Sequence, residues 1–190
     1  MSAVPAAGQL WPYPVRGSLT TMTASREHRD ASHGARLLRA WERLHRKPGG
    51  RWLFSRLVGR MAPYSGTLKA LVLELAPGRA VVVLEDRRAV RNHLRSIHAI
   101  ALANLGELAS GLATLSAIPP GVRGIPTAIA VDYLHKARGA LTATGTATLP
   151  PVTASATVEV QADIRDAAGV TVAAVRVRWK LERVTVAART

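Results

Sequence analysis

Hydrophobic positions along this 190-residue chain change their period three times, and each change marks an element. In residues 35–47, ARLLRAWERLHRK, Leu37, Leu38, Trp41 and Leu44 recur at three- and four-residue steps. Arg36, Arg39, Arg43 and Arg46 fall largely on the other side, which is the pattern of an amphipathic helix. Pro48-Gly49-Gly50 breaks it, and RWLFSRLVGRM (51–61) predicts a second short helix that Pro63 ends. From Gly66 the period becomes two: Leu68, Ala70, Val72 and Glu74 alternate with Lys69, Leu71, Leu73 and Leu75. With the Pro77-Gly78 turn signal and the β-branched run Arg79–Glu85, this predicts a hairpin.

His98 to Leu115 returns to helical spacing, with Leu102, Leu105, Leu108, Leu112 and Leu115 in an alanine-rich setting. This segment holds one acid, Glu107, and no lysine or arginine, so a helix here must be buried on most sides. Pro119-Pro120-Gly121 stops it, and strands are predicted at Ile125–Lys136, Ala140–Thr148, Thr153–Asp163 and Val170–Arg183, with a turn at Asp166–Gly169. Val175, Val177 and Trp179 alternate with Arg176, Arg178 and Lys180, a sheet with one wet face. Two helices, a hairpin, a long apolar helix and four strands predict an α+β domain with the helix against an antiparallel sheet. The boundaries read as a disordered leader over 1–34, an amphipathic helical extension over 35–50 and the main domain over 51–185.

Charge and composition narrow the classes. The chain has no cysteine, which removes a disulfide framework, a cysteine nucleophile and a thiolate metal site, and fits a reducing compartment. No eighteen consecutive apolar residues occur, and the N-terminus lacks the basic-then-apolar form of a secretory signal, so a soluble cytoplasmic protein without a transmembrane segment is expected. The net charge of +14 raises nucleic acid as a partner. Half of it lies in residues 26–60, where ten Lys/Arg face three acids, and no nucleic-acid motif accompanies it. The histidines show no paired ligand spacing, so no metal site is expected, and no P-loop, dinucleotide fingerprint or nucleophile elbow is present.

Candidate chemistry gathers around Asn92, His93, His98 and Glu107. A carboxylate in the middle of a buried helix is paired, protonated or functional. Nine residues separate His98 from Glu107, about 900° of rotation and about 13 Å of rise, so the two cannot meet within one chain. Across a two-fold axis, with two such helices antiparallel, Glu107 of one copy approaches the helix N-terminus of the other. Backbone N–H groups of Ala99 and Ile100 there form a potential oxyanion site, and a carboxylate facing one suits hydrolysis of an activated acyl group.

Asn92-His93-Leu94-Arg95-Ser96-Ile97-His98, followed by nine residues to Glu107, resembles the signature of hotdog-fold acyl-CoA thioesterases of the PaaI-like branch. That signature runs Asn, six residues on His-Gly-Gly, then Asp or Glu nine residues after the histidine. Val131-Asp132-Tyr133-Leu134-His135-Lys136-Ala137 is similar to the same family's strand motif, and the element order agrees over residues 51–183. The resemblance implies a hotdog fold, a long central helix wrapped by an antiparallel sheet, and a homodimer or tetramer that takes acyl-CoA as substrate and needs no cofactor. It implies Glu107 as nucleophile or general base, the Ala99 N–H as oxyanion donor and Asn92 orienting substrate or water. His98 shapes the turn; with Ile100, Ser110 and Gly111 it lines the substrate, while Arg91 and Arg95 flank the loop where coenzyme A phosphates could bind. The chain departs from the signature at Ala99-Ile100 in place of Gly-Gly, at Gly111 where a hydroxyl residue is common, and at His135-Lys136. Those departures admit a second reading, a non-catalytic hotdog module that binds acyl-CoA or a protein. A third, a nucleic-acid or anionic-membrane binder, rests on residues 26–60.

Overall fold

In a computed structural model, residues 33–184 are described; the leader expected over 1–34 lies, up to residue 32, outside them. Three helices come first: α1 (His33–Leu44), α2 (Gly50–Met61) and the single turn α3 (Pro63–Gly66). The period-two segment forms β1 (Leu71–Ala76) and β2 (Arg79–Leu84), joined at Gly78, whose φ of 77° is the left-handed conformation a tight turn requires. A 3-10 turn at Arg88–Val90 leads to the long helix α4 (Ala99–Ala117). Strands β3 (Val122–Tyr133), β4 (Leu141–Thr146), β5 (Ser155–Arg165) and β6 (Thr171–Arg183) complete the chain.

The six strands form one antiparallel sheet in the order β1-β2-β4-β5-β6-β3, so β3 is an edge strand although it sits mid-sequence. Helix α4 touches all six strands and is the axis of the domain. Two glycines set how closely it lies on the sheet. A Cβ on Gly145 of β4 would stand 2.4 Å from the Ala109 carbonyl oxygen, and one on Gly106 would stand 2.3 Å from a Val175 methyl. The core between them comprises Leu102, Leu105, Ala109, Leu112 and Ala113 of the helix with Val82, Leu84, Val160, Ile164, Val175 and Val177 of the strands. Among the described residues α4 alone is long and apolar enough, by length and composition, to cross a membrane; here most of it is buried in its own domain. This is the α+β architecture with a wrapped central helix that the sequence predicts.

Several local expectations are corrected. The strict alternation predicted for residues 68–75 fails, because a β-bulge between Val72 and Glu74 turns Leu75 inward with Val72 and leaves Glu74 exposed. Helix α3 and the 3-10 turn carry too few residues to show a period, and neither was predicted. Strand β3 begins at Val122 and ends at Tyr133, which puts His135 and Lys136 in the following loop. Helix α1 packs on α4 and α2 through buried Leu37 and Trp41, the indole meeting Phe54 edge-on.

Candidate active site

The entry into α4 is built by the side chain of Asn92. Its Oδ1 accepts from the Leu94 N–H (2.9 Å), the Ser96 N–H (3.2 Å) and the Ser96 hydroxyl (3.2 Å). Its own N–H reaches the Ser96 carbonyl at 2.8 Å, closing a turn in which Arg95 takes a positive φ of 54°. The turn is anchored on both sides: the Ile97 N–H donates to Ala137 and the His98 N–H to Val90. Asn92 is thereby first a turn-forming residue, its carbonyl oxygen held by its own loop.

His98 caps α4. Its Nδ1 accepts from the Ile100 N–H at 3.1 Å, so that nitrogen carries no proton in this arrangement. The expectation of two open N–H groups is corrected: Ile100 is capped by His98, and of the two the Ala99 N–H alone has no partner among the described residues. The Ala99 carbonyl accepts from the Tyr133 hydroxyl at 3.1 Å, which ties the helix start to the end of edge strand β3. The Ile100 side chain is exposed there, as are Leu94, Tyr133 and Leu134.

Glu107 lies two and a half turns further along α4, half-buried and in no ion pair among the described residues. Burial pushes its carboxyl above the ordinary range. Gly111 makes room beside it: a Cβ there would stand 3.6 Å from Glu107 Oε1 and 3.7 Å from the Trp179 ring. Trp179 itself is buried on β6, its indole N–H without a partner among the described residues, and it is the six-membered ring that lies beside Gly111. Ser110, by contrast, faces inward, fully buried, its hydroxyl donating to the Glu107 carbonyl at 3.0 Å.

The arginines divide. Arg91 is held by Asp86, Nε to Oδ1 at 2.5 Å, while the other Asp86 oxygen accepts from the Gly139 N–H at 2.8 Å. The Arg91 hydrogen bond leads in holding the Asp86 carboxyl below its ordinary range. Arg95 is exposed at the tip of its turn, and His93 and His135 are exposed as well. Asp132 pairs with Arg176 across the β3–β6 ladder at 2.7 Å. One chain therefore gathers Asn92, His98, Ala99 and Ile100 at one end of α4 and Glu107, Gly111 and Trp179 at its middle, and it does not bring the two groups together. Sequence reasoning passed over Trp179, Tyr133 and Asp86. The inward register of Trp179 in β6 was legible, but its neighbour across the core was not.

In sequence, residues 50–181 match the family described as a domain of unknown function, DUF4442. The structure is similar to that of the structural-genomics protein APC5556, at 30% identity and a TM-score of 0.68, covering 79% of this chain and 98% of that one. It is also similar to PA5026 of Pseudomonas aeruginosa, a protein of unknown function described as a "probable thioesterase" (17% identity, TM-score 0.62, 68% and 93% covered). A variant of the phenylacetic acid degradation protein PaaI from Thermus thermophilus matches at 23% identity and a TM-score of 0.53, covering 62% and 97%. No curated protein matches the sequence. The family match runs from the start of α2 into β6, through the Asn92 turn, the capped helix and Glu107, and this chain is accordingly a member of the DUF4442 family, built on the hotdog fold.

Proposed function

We propose that this protein hydrolyses acyl-CoA thioesters to the free acid and coenzyme A at a site shared by two copies of the chain. The observation that carries the reading is Glu107: a half-buried carboxylate with no ion-pair partner among the described residues, on an otherwise uncharged helix. Among the described residues no basic side chain forms an ion pair with it. A carboxyl raised by burial is also a stronger base near neutral pH than an exposed one. The likeness to a protein described as a "probable thioesterase" supports the same class of reaction.

In this mechanism Glu107 takes a proton from water as the water oxygen attacks the thioester carbonyl carbon. The carbonyl oxygen gains charge and is held by the Ala99 N–H of the second copy, at the positive end of its helix. The C–S bond then breaks and the coenzyme A thiolate recovers the proton. Direct attack by the Glu107 carboxylate, through an anhydride that water opens, is the other route the same geometry allows. Asn92 keeps the entry turn in shape, and its amide nitrogen faces substrate or water. Ile100 and Gly111 bound the acyl chain, with His98 capping the start of the helix and Ser110 supporting it from within. Arg95, with Arg91 when released from Asp86, meets coenzyme A phosphates. The exposed edge of β3 and the apolar group of Leu94, Ile100, Tyr133 and Leu134 beside it support assembly into a dimer or tetramer. No metal or cofactor enters this chemistry, and the setting proposed is the cytoplasm.

The test is release of free thiol from a panel of acyl-CoA esters by the full chain. Glu107→Ala is expected to lower kcat by at least about 100-fold with an unchanged circular dichroism spectrum. A variant as active as the parent removes the proposal. The occupied Ile100 N–H favours one second reading, a hotdog module that binds acyl-CoA without turning it over, since the hole then has a single backbone donor. Binding of coenzyme A esters with no thiol release at any chain length would establish that reading instead.

A further inference from the structure

Helix α2 exposes an apolar surface that the domain does not use. Phe54 and Val58 turn inward onto the core, while the outer half carries Trp52, Leu53, Arg56, Leu57, Arg60 and Met61. Trp52 is 62% exposed and Met61 69%, and Tyr64 on α3 is 67% exposed. Leu53, Leu57 and Met61 form one ridge at i, i+4 and i+8. That ridge borders a cleft of about 440 Å³ between α1 and α2 whose polar rim includes Arg36 and Arg60. The Arg56 guanidinium lies 5.7 Å from the Trp52 ring. Residues 33–66 carry eight Lys/Arg against one acid, Glu42, and α2 and α3 carry no acid at all.

We propose that the outer face of α2 and α3 is a docking surface for an anionic phospholipid bilayer. The chemistry selects that partner in three steps. Repulsion between two such cationic faces disfavours a second copy of the chain. A nucleic acid would engage the arginines and leave Leu57 and Met61 in water, without benefit from the ridge. A bilayer surface takes both: aliphatic side chains enter the acyl boundary, tryptophan and tyrosine sit at headgroup depth, and interleaved arginines meet lipid phosphates with their stems lying along the apolar layer. The surface lies outside the Glu107 site, and the proposal stands whether or not the thioesterase reading does.

Co-sedimentation of the full chain with vesicles tests it. Equimolar phosphatidylglycerol and phosphatidylcholine should take up the protein, and phosphatidylcholine alone should take up about tenfold less. Leu57→Gln with Met61→Gln keeps the charge and changes only exposed positions, and is expected to lower uptake by the anionic vesicles about tenfold while circular dichroism stays unchanged. Arg56→Gln with Arg60→Gln should lower it by a similar factor and leave the remainder less sensitive to salt. Trp fluorescence should be quenched by brominated lipid in the parent and much less in Trp52→Tyr. Three results overturn the proposal: a parent that stays in the supernatant, a Leu57/Met61 variant that sediments like the parent, or retention by duplex DNA at a salt concentration that releases the protein from vesicles. The second reduces the contact to charge alone, and the third assigns the face to phosphate.

Discussion

Replacing Glu107 by glutamine should make this protein more stable as well as inactive, and the two effects together separate a functional acid from a structural one. The carboxylate is half-buried, has no ion-pair partner among the described residues, and has its pKa raised by burial. A group that holds its proton more tightly folded than unfolded contributes its full stability below the unfolded pKa, here near 4.5, and that contribution is lost as pH rises through the higher folded value. At neutral pH the ionised side chain therefore works against folding, and glutamine, of nearly the same shape, does not. A buried polar group without a partner costs about 1–3 kcal/mol, and the partial exposure of Glu107 places it at the lower end, about 1 kcal/mol. For a domain of this size that is a rise in Tm of about 2–4 °C. Thermal melts of both proteins from about pH 4 to pH 8 read it directly, because the gain should vanish at the acid end, where the carboxyl is neutral in both states. A glutamine variant that melts lower at neutral pH, or differs from the parent equally at every pH, would refute the reasoning and show that Glu107 holds the fold together.

Other outcomes follow from single contacts. Gly145→Ala places a methyl 2.4 Å from the Ala109 carbonyl oxygen and must lift α4 from β4, which should cost about 3 kcal/mol in denaturant unfolding. Trp179→Phe removes a buried N–H that has no partner among the described residues, together with some packing, two opposing effects of similar size, so its unfolding free energy should stay within about 1 kcal/mol of the parent. Asp86→Asn releases Arg91 and the Gly139 turn; since the Asp86 carboxyl is held below its ordinary 3.8, its contribution is present above that pH and lost as pH falls through the folded value. The pair is near the surface, so the loss at neutral pH should be at most about 1 kcal/mol, seen as a Tm difference that closes in acid.

The element order, the α+β class and the buried character of α4 were legible in the chain because each follows from local spacing. A helix with one charged residue among Leu102, Leu105, Leu108 and Leu112 must be buried on most sides, and the strands predicted on either side of it in the chain offer the sheet that covers it. Glu107 stood out for the same reason, as an acid that the period of its helix does not account for. The Asn92 turn could be placed but not specified, because three acceptor contacts from one oxygen depend on the path of five residues and on Ala137 beyond them. The bulge in β1 escaped the alternation because register belongs to the pair of strands, and β2 decides which residue of β1 is left unpaired.

What the amino-acid order determined by itself is periodic or chemical: the order and kind of the longer helices and strands, that α4 is buried, that one carboxylate lies within it, and that positive charge crowds residues 26–60. Tertiary structure alone decided who meets whom. It set β3 at the sheet edge, laid Trp179 and Gly111 beside Glu107, bound Arg91 to Asp86, and let His98 cap the Ile100 N–H. Spacing along a chain constrains neighbours within a turn or a strand. Contacts between residues tens of positions apart depend on how whole elements pack, and packing is settled by the summed fit of many side chains, of which any one stretch of sequence holds only a part.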